Sequence, residues 1–129
     1  MNIVRTGIII NTEKYDECVS FYKKIFGLRI LYEEKYDDFQ LTCFQFESSY
    51  LMIETEGFAK PEGKTIKENP TKLRFNVANI NDALKTIKSH GIEAEINKND
   101  WGATINLFDP DGNRIGIRDE ATFKSQISA

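Results

Sequence analysis

The sequence is short of the residues that carry most metal and nucleophile chemistry. It holds one histidine, His90, and two cysteines, Cys18 and Cys43. His90 precedes Gly91 at the end of a predicted helix, so it reads as a surface or capping residue and not a metal ligand. The cysteines fall in a predicted helix and a predicted strand, at no metal-ligand or redox-pair spacing, and read as reduced and semi-buried. No run of basic residues occurs, and a net charge of -3 gives no general pull toward nucleic acid or an anionic membrane. The apolar start "MNIVRTGIII" is broken at once by "NTEKYDE", too early for a signal peptide or a membrane span. These absences point to a cytoplasmic protein without nucleic-acid or membrane partners.

At 129 residues the chain suits one compact domain, burying roughly 65–70% of its unfolded surface. What is present is a pattern stated twice. "TGIIIN" (6–11) predicts a strand, Thr12 suits an N-cap, and "EKYDECVSFYKKIF" has apolar residues at helical spacing up to Gly27. Three further strands follow, "LRILYEEKYD", "FQLTCFQFE" and "YLMIETE", with Ser48-Ser49 as the expected turn between the last two. The charged stretch 57–70 has no periodicity and reads as a linker or loop. Then "TKLRFNV", a helix capped by Asn79 or Asn81 and closed by Gly91, and three more strands repeat the order.

The spacing supports a duplication. Gly27 and Gly91 are 64 residues apart, Met52 and Gly116 also 64, and Gly7 and Lys72 are 65 apart. A unit of one helix and four strands cannot bury both sheet faces alone, but two copies can share a core. The expectation is therefore an α+β fold of two tandem βαβββ modules. Module one spans about 4–57, the linker about 58–70, module two about 71–120, and a tail 121–129. The modules are expected to form one strongly curved mixed sheet with helices on its convex face.

Alternation gives each strand two faces. Leu73, Phe75, Ile115, Ile117, Leu51 and Ile53 make an apolar face suited to lie under the helices. The Ser48-Ser49 turn would pair Met52 with Gln45 and Glu54 with Cys43, on the opposite face. That face also carries Tyr50, Lys72, Arg74, Asn106, Arg118 and Gly116. On a flat sheet it is simply the wet side; on a curled one it lines a cleft for a ligand.

The segments "FYKKIFGL" (21–28), "YLMIE" (50–54), the helix end at 83–92 and "WGATINLFDPDGNRIGI" (101–117) together resemble the vicinal oxygen chelate superfamily. It contains glyoxalases, extradiol dioxygenases, epimerases, and bleomycin and fosfomycin resistance proteins, and the likeness covers essentially the whole chain. In its metal-dependent members the resemblance implies a divalent ion held by two residues from each module, usually a His and a Glu. Those positions fall here on Gly7, Met52, Lys72 and Gly116. Two glycines, a thioether and a cation do not form a divalent-metal site. No metal and no cofactor is expected, which argues against metal-dependent glyoxalase, dioxygenase or fosfomycin transferase activity.

Two readings remain for the polar face, and a third sets it aside. The resemblance to metal-free bleomycin-resistance members implies a homodimeric protein that sequesters a small organic ligand. Tyr50, Met52 and Trp101 would offer apolar contact and Lys72, Arg74 and Arg118 charge, with Asn106 and Glu54 beside them; the ligand would then be anionic or polar-ended. Alternatively, Glu54 could act as a general acid–base with Lys72 or Arg74 in a metal-independent lyase or isomerase, or simply pair with them. A structural or regulatory protein is the third possibility. The fold alone chooses none of them.

Overall fold

The computed structural model describes residues 1–128. Module one runs β1 (Gly7–Asn11), α1 (Tyr15–Lys24), β2 (Ile30–Tyr36), β3 (Phe39–Phe46) and β4 (Ser49–Glu54). Module two repeats the order as β5 (Leu73–Val77), α2 (Ile80–Ser89), β6 (Asn97–Asn99), β7 (Gly102–Phe108) and β8 (Arg114–Asp119). A last helix, α3 (Glu120–Ile127), forms in the segment expected as a tail.

The expectation of one strongly curved mixed sheet is overturned. The strands form two separate four-stranded sheets, ordered β1-β4-β3-β2 and β5-β8-β7-β6. Each is mixed, because β1 runs parallel to β4 and β5 parallel to β8 while the other pairs are antiparallel. Among the described residues no ladder joins the two sheets, and neither sheet curls into a closed wall. β1 and β5 each hydrogen-bond on one side only, so side chains and loops hold the modules together. The helices therefore cover an apolar face of each sheet, not the outside of a single curve.

The duplication persists down to register. Ile9 lies opposite Met52 and Arg74 opposite Gly116, so equivalent residues of the two modules hold equivalent places. The β3–β4 register differs from expectation by two residues: Cys43 faces Met52, Gln45 faces Tyr50 and Leu41 faces Glu54. The turn is made by Glu47 and Ser48, with Glu47 in the left-handed region at φ 53°. A slip of two preserves which side chains share a face, whereas a slip of one would invert them. The two face assignments consequently hold.

The apolar face is the core. Leu51, Ile53, Ile105, Ile115 and Ile117 are buried there with Cys18, Tyr22 and Ile87 of the helices. The seam between modules is aromatic: the Phe26 and Phe75 rings stack at 4.0 Å between centroids, and Phe46 meets Phe75 at 5.1 Å. Asn79 caps α2, its Oδ1 accepting the Asp82 N–H at 3.0 Å. His90 sits at the other end of α2, its backbone N–H bonding to Ile87 O. Thr12 does not cap α1; its Oγ1 donates to Glu54 O at 2.9 Å.

The lead-in to α1 is held from the other module. Asp111, fully buried in the β7–β8 turn, accepts the Glu13 N–H and the Lys14 N–H, both at 2.8 Å. A carboxylate here also complements the positive end of the helix dipole. The neighbouring Asp109 accepts Tyr22 Oη–H from α1 at 2.7 Å and the Asn113 amide at 2.9 Å. The "DPDG" turn is thus a latch between modules. The stretch before β5 is fastened to the same turn by Lys60 N–H to Asp111 O, Lys64 N–H to Gly112 O and Lys64 Nζ to Asn113 Oδ1.

Candidate functional site

Gly7, Met52, Lys72 and Gly116 occupy equivalent places on the polar faces of the two sheets, as the repeat requires. Neighbouring side chains fill the space that ligands to a metal would need. A Cβ on Gly7 would collide with the Cζ end of the Tyr50 ring. A Cβ on Gly116 would stand 3.0 Å from Lys72 Cε and 3.1 Å from Arg74 Nε. Glycine at these two positions admits an aromatic ring in one module and two cationic side chains in the other. Among the described residues no three His, Cys, Asp or Glu side chains gather where an ion could be held. The donor set does not fit the divalent ion that the resemblance implies.

Gly7→Ala should therefore cost stability through overpacking against Tyr50, by about 1–3 kcal/mol. Tyr50→Leu in the same chain should recover most of the loss. Urea titration of the single and double variants reads this directly, and equal loss in both would show that the ring is not the obstacle.

In module one the polar face is an open recess of about 560 Å³. Tyr50 and Met52 line it, with Cys43 of the same face and with Arg5, Arg29 and Tyr32, which sequence reasoning missed. Arg29 Nε and Nη2 both donate to Gln45 Oε1, at 3.1 and 2.8 Å. The available signal was the alternation that puts Cys43 and Gln45 on one side of β3. Cys43 is buried, and burial raises its thiol above the ordinary range, so it forms wall and not nucleophile.

In module two the face is cationic. Lys72, just before β5, donates from Nζ to Asn106 Oδ1 at 2.8 Å, with Arg74 on β5 and Arg114 on β8. Burial lowers the Lys72 ammonium below the usual lysine range, and the charges of Arg114 and Arg74 push the same way. Arg118 is only 6% exposed. Its guanidinium lies 4.7 Å from the centre of a Trp101 ring and 5.2 Å from that of Phe123. Its Nη2 donates to Trp101 O at 2.9 Å and to Gln126 Oε1 at 2.5 Å, while Nε has no partner among the described residues. Helix α3 supplies Phe123 and Gln126, and so covers this end of the face. Asp119 caps α3 by accepting Thr122 N–H at 2.9 Å and also takes the Ala103 N–H, bonds that hold its carboxyl down at about 2.

Glu54 lies at the end of β4, in the other sheet, paired with Leu41 and Asn11. No ion pair joins it to Lys72 or Arg74 among the described residues, where the pairs within 4 Å are Lys14–Glu17 and Lys60–Glu68. The structure thus brings together Lys72, Arg74, Asn106, Trp101 and Arg118, groups Tyr50 with Met52 in the first recess, and leaves Glu54 apart. A further recess of about 660 Å³ opens between the modules. It is walled by Phe26, Leu28, Phe46 and Val77, with Arg74 and Glu120 also in its lining. Among the described residues no helix is long and apolar enough to cross a membrane.

Comparison with known proteins accords with this geometry. The family model described as Glyoxalase-like domain matches residues 5–121. No curated protein matches the chain. Among solved structures, the genomically encoded fosfomycin resistance protein FosX from Listeria monocytogenes superposes with a TM-score of 0.73 at 14% identity, over 92% of each chain. TnmS3, an antibiotic binding protein from Streptomyces sp. CB03234, gives 0.72 at 14% identity, over 92% of this chain and 98% of that one. A glyoxalase family protein from Enterococcus faecalis gives 0.71 at 22% identity, over 92% and 97%. At these identities the structures speak for the fold alone. A family match across almost the whole chain, on a βαβββ repeat with this register, places the protein in the glyoxalase-like domain family of the vicinal oxygen chelate superfamily.

Proposed function

We propose that this protein is a metal-independent, cytoplasmic binder of a small organic ligand that has an anionic or strongly polar end. One observation carries the reading. Lys72, Arg74, Arg114 and Arg118 gather at β5 and β8, and no carboxylate lies within 4 Å of any of them among the described residues. A set of cations without a directly paired carboxylate, in a partly desolvated setting, favours an anion, and guanidinium forks suit carboxylate or phosphate. The apolar wall beside Arg74 suits an aromatic or aliphatic body. TnmS3, described as an antibiotic binding protein, supports a sequestering role on the same fold.

Thermal-shift screening of aromatic carboxylates, phosphonates and cationic controls tests the reading. A carboxylate or phosphonate hit should bind about 10–100-fold more weakly to Arg74→Ala, the worth of one charge-assisted hydrogen bond. A hit unaffected by that variant, or hits confined to cationic compounds, would overturn it.

The protein is further proposed to work as a homodimer. β1 leaves one edge unpaired and exposes Ile9 at 54%, with Ile3 and Val4 exposed just before it. Such an edge invites a second chain unless it is covered. Light scattering should return twice the 14.8 kDa chain mass at micromolar concentration; a single-chain mass would reject the dimer.

A further inference from the structure

We infer that Lys72 is a carbonyl-reactive amine, placed to form an imine with an aldehyde or ketone that also carries an anionic group. Its surroundings differ from those of the ion-paired lysines; Lys64 also donates to an amide oxygen, Asn113 Oδ1 at 2.8 Å, but lies over the Phe58 ring. Lys60 pairs with Glu68 and Lys14 with Glu17, whereas Lys72 Nζ is held by a neutral amide oxygen, Asn106 Oδ1, at 2.8 Å. The groups that face it are Arg74 from β5, which it immediately precedes, Asn106 from β7, and Arg114 with Gly116 from β8. Gly116 lets the lysine stem lie flat on the sheet, with Cε 3.0 Å from where a Cβ would stand. The amine is therefore fixed, half-buried and flanked by positive charge with no carboxylate within 4 Å among the described residues. Those conditions disfavour the ammonium and leave more neutral amine at neutral pH, as in lysine nucleophiles activated by a cationic neighbour.

The step balances without a further reagent. The Nζ lone pair attacks the carbonyl carbon, a C–N bond forms, and the carbonyl π pair moves to oxygen, giving a carbinolamine after proton transfer. That oxygen then leaves as water with both hydrogens of the amine, and C=N forms. No oxidant or reductant is consumed. Arg74 supplies the fork that would hold the substrate's anionic end, and this part rests on the ligand reading given above.

The test treats the full chain near neutral pH with para-carboxybenzaldehyde and sodium cyanoborohydride, which traps any imine as a stable secondary amine. Peptide mass spectrometry then compares lysines within the same molecule. Lys72 should be labelled about tenfold faster than the exposed Lys67 and Lys98. Arg74→Gln should slow Lys72 several-fold and leave Lys67 and Lys98 unchanged, and the difference should vanish at a pH where every lysine is neutral. Labelling of Lys72 within about twofold of the exposed lysines overturns the inference, whatever the ligand screen finds.

Two controls separate this inference from the ligand reading. Para-carboxybenzoate, which has no carbonyl to attack, reports anion binding by thermal shift; unsubstituted benzaldehyde reports amine reactivity. A shift with the carboxybenzoate but no selectivity at Lys72 overturns the inference and leaves the ligand reading standing. Selective labelling by both aldehydes, with no shift, upholds the reactive amine and overturns the ligand reading.

Discussion

Asp111→Ala is expected to destabilise the protein by about 3–5 kcal/mol, the loss of two charge-assisted hydrogen bonds from a buried carboxylate. Both bonds are 2.8 Å long and reach the backbone N–H groups of Glu13 and Lys14, which have no other cap. Removing the side chain leaves those donors orphaned and takes a negative charge from the start of α1. Asp111→Asn keeps one accepting oxygen and should lose about half as much. Guanidinium titration followed by circular dichroism would show the ranking. A loss below about 1 kcal/mol for the alanine variant would mean that water replaces the latch at no cost.

Phe75→Ala should cost a comparable amount, about 3–5 kcal/mol, for a different reason. The Phe75 ring is 9% exposed and lies between Phe26 of module one and Phe46 at the end of β3. No backbone ladder crosses this seam among the described residues, so side-chain packing carries the join. Truncation removes the apolar burial and leaves a cavity between two rigid sheets. The stacked pair adds a specific term: a double-mutant cycle with Phe26→Ala should return a coupling of about 0.5–1.5 kcal/mol. Strict additivity would show that the two rings contribute only as bulk.

Much of the fold was legible because it is written in local periodicity. Helical spacing from Tyr15 to Phe26, the Asn79 cap and strand alternation each depend on residues a few places apart. The 64-residue offset between Met52 and Gly116 made the duplication visible and survives in the strand register. The turn at Glu47–Ser48 was misplaced by one position, since "ESS" offers no glycine to mark the left-handed residue. Curvature was not legible at all: alternation says which side of a strand is apolar, not whether two sheets join at β1 and β5.

The site was legible as a list but not as an arrangement. Lys72, Arg74 and Asn106 fall together because the β5–β8–β7 order follows from the repeat. Nothing local to Glu54 said that it would stay in the other sheet. Nothing in "EATFKSQI" announced that its Phe123 and Gln126 would cover Arg118, because α3 leaves no residue fully buried and its apolar face is weak.

The latch also bears on how the chain is made. The two residues that lead into the helix of module one depend for their N–H partner on a residue 97–98 positions later in the sequence. At about 5–20 residues per second on the ribosome, Asp111 emerges some 5–20 s after Lys14. During that interval the nascent first half has its strands and its apolar helix face but an open helix start and no partner for the Phe26 ring. The two halves, though built on one plan, have ceased to be autonomous: each holds a part that completes the other. A gene cut within the 58–70 stretch should therefore yield two fragments that fold when mixed and not when expressed alone.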